Sequence, residues 1–327
     1  MPEALTVTAV VPSYGRPESL LRCLEGLLAG ERAPEQVVVV LRDTDSASRE
    51  ALAEWTPSAG EGRAQGSAPA AGPALRLVLV AEPGQIAALN AGLAVATGDV
   101  VTFPDDDCVP RPDWLRRLVA HYADPRVGGA GGRDVVHHDT PEPPLPAARA
   151  VGRLTWYGRV VGNHHREAPG GPRPVDHLKG VNMSFRRELL PPFDPCIRGP
   201  HYNDTDVSLG LSRHGWRLIY DPEAKVDHYP APRLDNPGGR DLRDLRLARL
   251  DAHDWMYMVL KHQPWFLRPL SAFYIMLVGT RLRPGLLLGL AQALIRPRQA
   301  LRTLSASLGG ALWGIWTWAG RGRRCTT

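Results

Sequence analysis

The sequence predicts an α/β fold, a mostly parallel central sheet with flanking helices, followed by a helical C-terminal region. Three observations carry this prediction. Short β-branched runs alternate with helical stretches through the first 120 or so residues. The turns "PSYGR", "RDTD" and "PDDD" each follow such a run, and ligands of open sheets gather at the carboxyl ends of strands. After Asp254 the composition changes, with no further Asp or Glu but ten Lys or Arg.

The elements follow in order. "TVTAVVP" is a short β-branched run ending at Pro12, which predicts a buried strand. "SYGRP" is a turn, with Pro17 at a first helical position and Glu18 behind it. Leu20, Leu24, Leu27 and Leu28 share one helical face. "QVVVVL" and "LRLVLV" predict the second and third strands, and residues 56–74 between them form a low-complexity stretch predicted as a mobile surface loop. "GQIAALNAGLAVATG" predicts a helix closed by Gly98, "VVTF" a fourth strand, and "RPDWLRRLVAHYA" a further helix. From about residue 134 the pattern is irregular. "DHLKGVNMSFRREL" predicts a strand leading to a helix. "HYNDTDVSLGLSRHGW" predicts a loop and then a helix capped by Asn203 or Asp204 and stopped by glycine. "RLIYDPEAKVDHYP" is strand-like, with His228 near its end.

A chain of 327 residues suffices for one large domain or two smaller ones. The pattern predicts an α/β domain over 1–235 and a helical region over 236–327. Cys23, Cys108, Cys196 and Cys325 lack paired or metal-like spacing, which predicts a reducing compartment and no disulfide framework. The N-terminal stretch lacks a basic segment followed by a long apolar one, so no signal peptide is expected. The net charge of +5 conceals an asymmetry: the first 254 residues carry 29 basic and 34 acidic side chains. A basic tail on an acidic body calls for a partner. Its charges are spaced between apolar runs, which suits a membrane surface and not a nucleic acid.

In "FPDDDCVP", residues 103–110, three mutually repelling carboxylates follow an apolar run. Asp105 and Asp107, two apart on an extended segment, share a side. Such a pair can hold a hard divalent cation, Mg²⁺ or Mn²⁺, against a diphosphate.

With those residues in view, the sequence resembles the inverting glycosyltransferases of family 2, with the Rossmann-like GT-A fold. The resemblance runs over roughly residues 5–230. "VVPSYGRPESLLRCLEGLL" is similar to the family's opening strand, turn and helix. "GQIAALNAGLAVATGDVVTFPDDDCVPRPDWL" is similar to its central block, with "DDD" in the place of the DxD motif. "GVNMSFRREL" resembles the acceptor-side segment, and "NDTDVSLGLSRHGWRLIYDPEAKVDH" the segment usually written ED-x-D.

The resemblance implies roles. Pro12, Ser13, Tyr14 and Arg16 would line the nucleotide pocket, with Asn90 and Asp106 in the same set. Asp43 or Asp45 would approach the base or ribose. Asp105 would contact the ribose side, and Asp107 would bind the metal on the diphosphate, with Asp105 and His228 completing the metal site. Asp204 would be the general base that takes the proton of the acceptor hydroxyl. Lys179, Asn182, Arg186 and Trp156 would lie on the acceptor side. Asn203 stands where the family usually has Glu, and "VVVVLRDTD" replaces the commoner "VVDDGSTD" form, which leaves the nucleotide open. The implied partners are a nucleotide-diphosphate sugar donor and a glycan, lipid-linked or metabolite acceptor.

Two rival readings share parts of this pattern. A sugar nucleotidyltransferase would need a glycine-rich loop after the first strand, where "PSYGRP" has one glycine. A non-catalytic membrane-bound scaffold would not need Asp105, Asp107 and Asp204.

The tail holds three apolar stretches, "PLSAFYIMLVGT", "PGLLLGLAQALI" and "LSASLGGALWGIWTWAG", each shorter than the roughly 20 residues of a spanning helix. Arginines punctuate them, and Trp313, Trp316 and Trp318 precede Arg321, Arg323 and Arg324. This predicts shallow helices on the cytoplasmic face of the plasma membrane, peripheral or monotopic. The alternative is a helical subdomain packed on the catalytic body or in a homodimer.

Overall fold

The computed structural model describes residues 5–56, 73–138, 145–231, 244–320 and 325. The stretch expected to be a mobile loop lies almost wholly outside these residues, as do the expected boundary at 235 and Arg321, Arg323 and Arg324. The chain divides into two compact units. The first comprises Met1–Arg153, Gly162–Phe193 and Leu211–Asp235, and the second Leu154–Val161, Asp194–Gly210 and Asn236–Thr327. The second unit therefore takes in two segments from the middle of the chain besides the tail.

In the first unit, β1 (Val7–Ser13), β2 (Gln36–Arg42), β3 (Ala74–Val80) and β4 (Val100–Thr102) run parallel in the order β3-β2-β1-β4. The crossovers carry α1 (Pro17–Ala29), α2 (Ser46–Glu54) and α3 (Gln85–Val95). Beyond them the chain forms β5 (Cys108–Pro110), α4 (Trp114–Ala120) and β6 (Val127–Val136). The short strands β7 (Arg153–Leu154) and β8 (Val160–Val161), which fall almost wholly in the second unit, pair as a separate ribbon. The strands β9 (Arg173–Val175), β10 (Met183–Arg186) and β11 (Arg217–His228) return to the main sheet. Its order continues β4-β10-β6-β11-β5, with β9 also paired to β11. Strand β10 is antiparallel to both neighbours, β11 is parallel to β6, and β5 and β9 are antiparallel to β11.

Strands buried on both faces read as continuous apolar runs, and β1 and β2 do so. Leu20, Cys23, Leu24 and Leu27 bury the predicted face of α1 in the main core. Helix α3 approaches the sheet closely because it has Gly92 there: a Cβ at that position would stand 2.3 Å from Val10 Cγ1. The helix ends at Val95, short of Gly98. Helix α2 has no counterpart in the sequence pattern above.

The second unit is mostly helical. Helix α5 (Asn203–Arg213) begins in it, followed by α6 (Leu245–His262), α7 (Arg268–Leu277), α8 (Leu286–Ala293) and α9 (Pro297–Ala319). Helix α9 packs on α6 through small residues. A Cβ at Gly310 would stand 2.2 Å from the Arg249 carbonyl oxygen, and one at Gly314 would stand 2.5 Å from that of His253. Between the helices His253 is fully buried, with Nδ1 2.7 Å from Asp254 Oδ1 and Nε2 2.9 Å from Thr317 Oγ1. No helix among the described residues is long and apolar enough to cross a membrane. Helices α7 and α8 and the chain beside them leave Phe273, Leu287, Leu290, Leu294 and Ile295 exposed.

One expectation is overturned here. Cys196 and Cys325 form a disulfide across a sequence separation of 129 residues. Their distance in the chain hides the pairing, which tertiary structure alone creates. Cys23 and Cys108 remain free and buried.

Candidate active site

The first unit gathers its charged residues where β1, β4 and β11 end. After β1, Gly15 takes a left-handed conformation at φ 65°, and α1 then starts with Pro17 at its first turn. The Gly15 N–H donates to Asp45 Oδ2 at 2.6 Å. Asp45 also caps α2, its Oδ1 accepting the Ser48 N–H at 3.1 Å. It is buried, so its carboxylate braces the loop, whereas Asp43 stays exposed beside Arg42 at 3.9 Å. Pro12 sits in β1 opposite Val40, and the Arg42 guanidinium lies over the Tyr14 ring at 5.9 Å.

The three aspartates do not lie on an extended segment. The Cys108 N–H donates to the Asp105 carbonyl at 3.2 Å, closing a turn with Asp106 and Asp107 at its centre. The turn separates their roles. Asp106 is buried, accepts a hydrogen bond from Ser13 Oγ at 2.6 Å, and faces Arg16 Nη2 at 2.6 Å. Burial pushes its pKa up to about 7, against the opposing pull of Arg16. Asp106, expected on the nucleotide, thus ties the acidic turn to the loop after β1.

Asp107 is also buried rather than rim-facing. Its Oδ2 accepts the Ala231 N–H at 3.0 Å and meets Arg16 Nη1 at 3.3 Å. Its Oδ1 lies 3.4 Å from His228 Nε2, and His228 Nδ1 lies 3.5 Å from Asp134 Oδ2. Asp134 in turn pairs with Lys179. Burial opposes ionisation of Asp107, but His228, the Ala231 N–H and Arg16 outweigh it and hold its pKa at about 2. Asp134 is likewise held at about 2: burial is outweighed by His228 and Lys179. Burial alone would lower the His228 pKa, yet the flanking carboxylates raise it to about 9.

A divalent cation fits part of this arrangement. Asp107 Oδ1 and His228 Nε2 are buried, close together, and without a hydrogen-bond partner among the described residues. Once His228 gives up its proton to an incoming cation, one carboxylate oxygen and one imidazole nitrogen can serve Mg²⁺ or Mn²⁺, which take few protein ligands when substrate phosphates supply the rest. Among the described residues no three His, Cys, Asp or Glu side chains converge as a metal-holding group.

Other predicted residues have internal partners. Asn90 Nδ2 donates to the Phe193 carbonyl at 2.9 Å, and its Oδ1 accepts the Phe193 N–H at 2.7 Å. Asn182 is buried, accepting from Trp114 Nε1 at 2.8 Å and donating to the Ala224 carbonyl at 2.8 Å. Arg186 donates to the carbonyls of Val127 and Tyr122. These residues hold backbone, and Lys179 reaches Asp134. Asp134 is a site residue that sequence reasoning missed. It is a lone acid near the end of a glycine-rich strand, with no motif around it.

In the second unit, Tyr202 at φ 75° turns the chain into α5, an unusual conformation for a bulky residue. Asn203 and Asp204 stand inside the first turn of the helix rather than before it. Asp204 Oδ1 accepts from the Thr205 N–H at 2.6 Å. Asp206 Oδ1 lies 2.8 Å from His262 Nε2, and its Oδ2 accepts from Lys261 Nζ at 2.8 Å. Trp156 is exposed in the same unit, edge-on to Tyr157 with centroids 5.3 Å apart.

A mixed, mostly parallel sheet whose fourth strand runs into an acidic turn beside a histidine defines a GT-A fold. Residues 8–190 match the family described as Glycosyl transferase family 2, and the chain belongs to that family of transferases. It is 32% identical over 149 residues to the pre-mycofactocin glycosyltransferase of Mycobacterium tuberculosis, a match covering 44% of this chain and 30% of that protein. It is 27% identical over 147 residues to the glucosyl-dolichyl phosphate glucuronosyltransferase of Haloferax volcanii, covering 42% of this chain and 45% of that protein. The chain thus spans less than half the length of these curated relatives. Among solved structures it is similar to the mannosyltransferase PcManGT of Pyrobaculum calidifontis in complex with GDP-Man and Mn²⁺. That likeness has a TM-score of 0.54 at 19% identity, and it covers 96% of this chain and 88% of that one.

Proposed function

We propose that the protein is a metal-assisted inverting glycosyltransferase that moves a sugar from a nucleotide-diphosphate sugar to an acceptor hydroxyl. The observation that carries this reading is the Asp107–His228 pair, whose buried Oδ1 and Nε2 lie 3.4 Å apart without hydrogen-bond partners among the described residues. A cation held there would offset the negative charge developing on the departing diphosphate. Arg16 adds a fixed positive charge beside the same carboxylates. Family membership and the likeness to a mannosyltransferase solved with GDP-Man and Mn²⁺ support the donor class.

Asp204 is the residue we assign as general base. It would accept the acceptor's proton as that oxygen forms its bond to C1 and the bond from C1 to the diphosphate breaks. The acceptor is a glycan, a lipid-linked sugar or a glycosylated metabolite, in keeping with the names of the two curated relatives. We further assign the second unit to an anionic membrane surface. Its exposed Phe273, Leu287, Leu290, Leu294 and Ile295, with Arg296 and Arg298 following in sequence, support that reading.

A thermal-shift screen of nucleoside diphosphates and nucleotide sugars, with and without Mn²⁺, tests the donor reading. A ligand that binds the folded state raises the melting temperature. One nucleotide should do so only with metal present, and indifference to every nucleotide and to EDTA would overturn the reading. Release of the full-length protein from cell membranes by detergent but not fully by salt tests the surface assignment, and protein that stays in solution without detergent refutes it.

A further inference from the structure

The second unit carries a groove of about 760 Å³ that the proposed chemistry does not use. Arg198, Arg246 and Arg249 line it together with Leu312, Trp313 and Trp316. All three arginines are exposed, and none has an ion-pair partner among the described residues. Among the described residues, acids bond to the backbone of these arginines and not to their guanidiniums: Asp244, whose Oδ1 accepts the Arg246 N–H at 2.8 Å, and Asp254. The Asp254 oxygens accept the backbone N–H groups of Arg198 and Gly199 at 3.0 and 2.6 Å. Three like charges sharing one concave surface repel one another, and an anion between them removes that cost.

The groove is also preorganised. The guanidinium carbons of Arg198 and Arg249 lie 5.2 and 5.6 Å from the centre of the Trp313 ring. Stacking of this kind restrains a long side chain while leaving its N–H fork free to bond outward. Arg198 is further fixed by the Asp254 contact to its backbone and by the Cys196–Cys325 disulfide two residues before it. Arginine forks match the oxygens of a phosphate in pairs. Beside them Leu312 and Trp316 are exposed, each with more than half its surface open to water. Cationic forks and an open apolar wall in one groove fit a ligand with a phosphate at one end and a hydrocarbon chain at the other.

We propose that this groove binds the phosphate monoester of an amphiphile, with its chain laid against Leu312 and Trp316. The site is independent of Asp107 and Asp204, so it can stand or fall without the transferase reading.

The test is calorimetric titration of the full-length protein with short-chain phosphatidic acid kept below its micelle concentration. Inorganic phosphate and the matching phosphatidylcholine are the comparators. Phosphatidic acid should bind, phosphate should bind more weakly through the same arginines, and phosphatidylcholine should give no signal. Arg198→Ala with Arg249→Ala should weaken phosphatidic acid binding by about 10- to 100-fold, the worth of a lost charge-assisted hydrogen bond or two. If the melting temperature of that double variant falls, Arg246→Gln carries the test, since Arg246 lies exposed in the first turn of α6. Equal binding of phosphatidylcholine would overturn the phosphate, and equal binding of inorganic phosphate would overturn the chain. Unchanged binding by the arginine variants would overturn the site.

Discussion

Lys261 on α6 reaches Asp206 in the first turn of α5, with Nζ 2.8 Å from Oδ2. The same ammonium lies 2.7 Å from Asp194 Oδ2. One side chain therefore fastens the start of the helix that carries Asp204, and His262 holds the other oxygen of Asp206. Lys261→Met should leave two carboxylates without their cation and cost about 1–3 kcal/mol, read as a lower melting temperature. Burial opposes ionisation of Asp194, but Lys261 and the surrounding donors hold its pKa below the ordinary value. A depressed carboxylate stabilises the fold above its unfolded pKa of about 4, and that stability is lost as pH falls through the folded value. The wild type should lose more stability on acidification below about pH 4 than Lys261→Met does, and parallel curves would count against the linkage.

Asp107→Asn should end metal-dependent binding of nucleoside diphosphate. The amide keeps an oxygen for the Ala231 N–H but loses the charge facing His228 and Arg16. Asp107→Ala should lose the same binding and also some stability, because Asp107 is buried and bonded. Isothermal titration with and without EDTA, next to thermal melts, separates the two effects. Tight, EDTA-insensitive binding by Asp107→Asn would remove the metal role.

Asp106→Ala should act on the fold. It leaves Ser13 Oγ and Arg16 without their buried partner, a loss of about 1–3 kcal/mol. Asp106→Asn should cost less, since burial already pushes this carboxyl toward its neutral form. Equal melting temperatures for Asp106→Ala and wild type would contradict the bracing role.

Asp204→Asn keeps the size of the side chain and an oxygen for the Thr205 N–H, but it cannot serve as a base. Donor binding should survive while transfer falls by roughly 10²–10⁴-fold. Parallel loss of binding and transfer would make Asp204 a structural residue.

Gly314→Val should unseat α9 from α6. The added carbon would stand 2.5 Å from the His253 carbonyl, a backbone atom that cannot swing aside. Overpacking of this kind costs about 1–3 kcal/mol or more. Gly309→Val, where a Cβ meets nothing within 4 Å, is the control, and it should cost much less in the same melts.

The fold was legible in the sequence where local pattern coincides with tertiary role. Strands β1 and β2 are continuous apolar runs buried on both faces, and α1 buries the leucine face its spacing announces. The acidic turn was visible as a site because clustered charge after a buried strand is unusual. Its division of labour was hidden: adjacent Asp residues look alike in sequence, and only the turn at 105–108 turns Asp106 inward onto Ser13. Asp45, Asn90 and Asn182 stand out as polar residues in motif segments, but the backbone groups that each bonds lie far along the chain and leave no local signal. Asp134 and the Cys196–Cys325 bond had no local signal, since each depends on a partner far along the chain.

The row Arg16, Asp107, His228, Asp134 and Lys179 alternates in sign from end to end. Groups linked this way are epistatic, because the loss of one changes what its neighbours are worth. A scan of single substitutions would show Lys179→Met losing activity and invite its assignment to acceptor recognition. Its ion pair with Asp134 gives a second route, by which the loss would reach Asp107 through Asp134 and His228. In a double-mutant cycle Lys179→Met and Asp134→Asn together should cost less than their separate effects added, because Asp134→Asn removes the very charge that Lys179 neutralises.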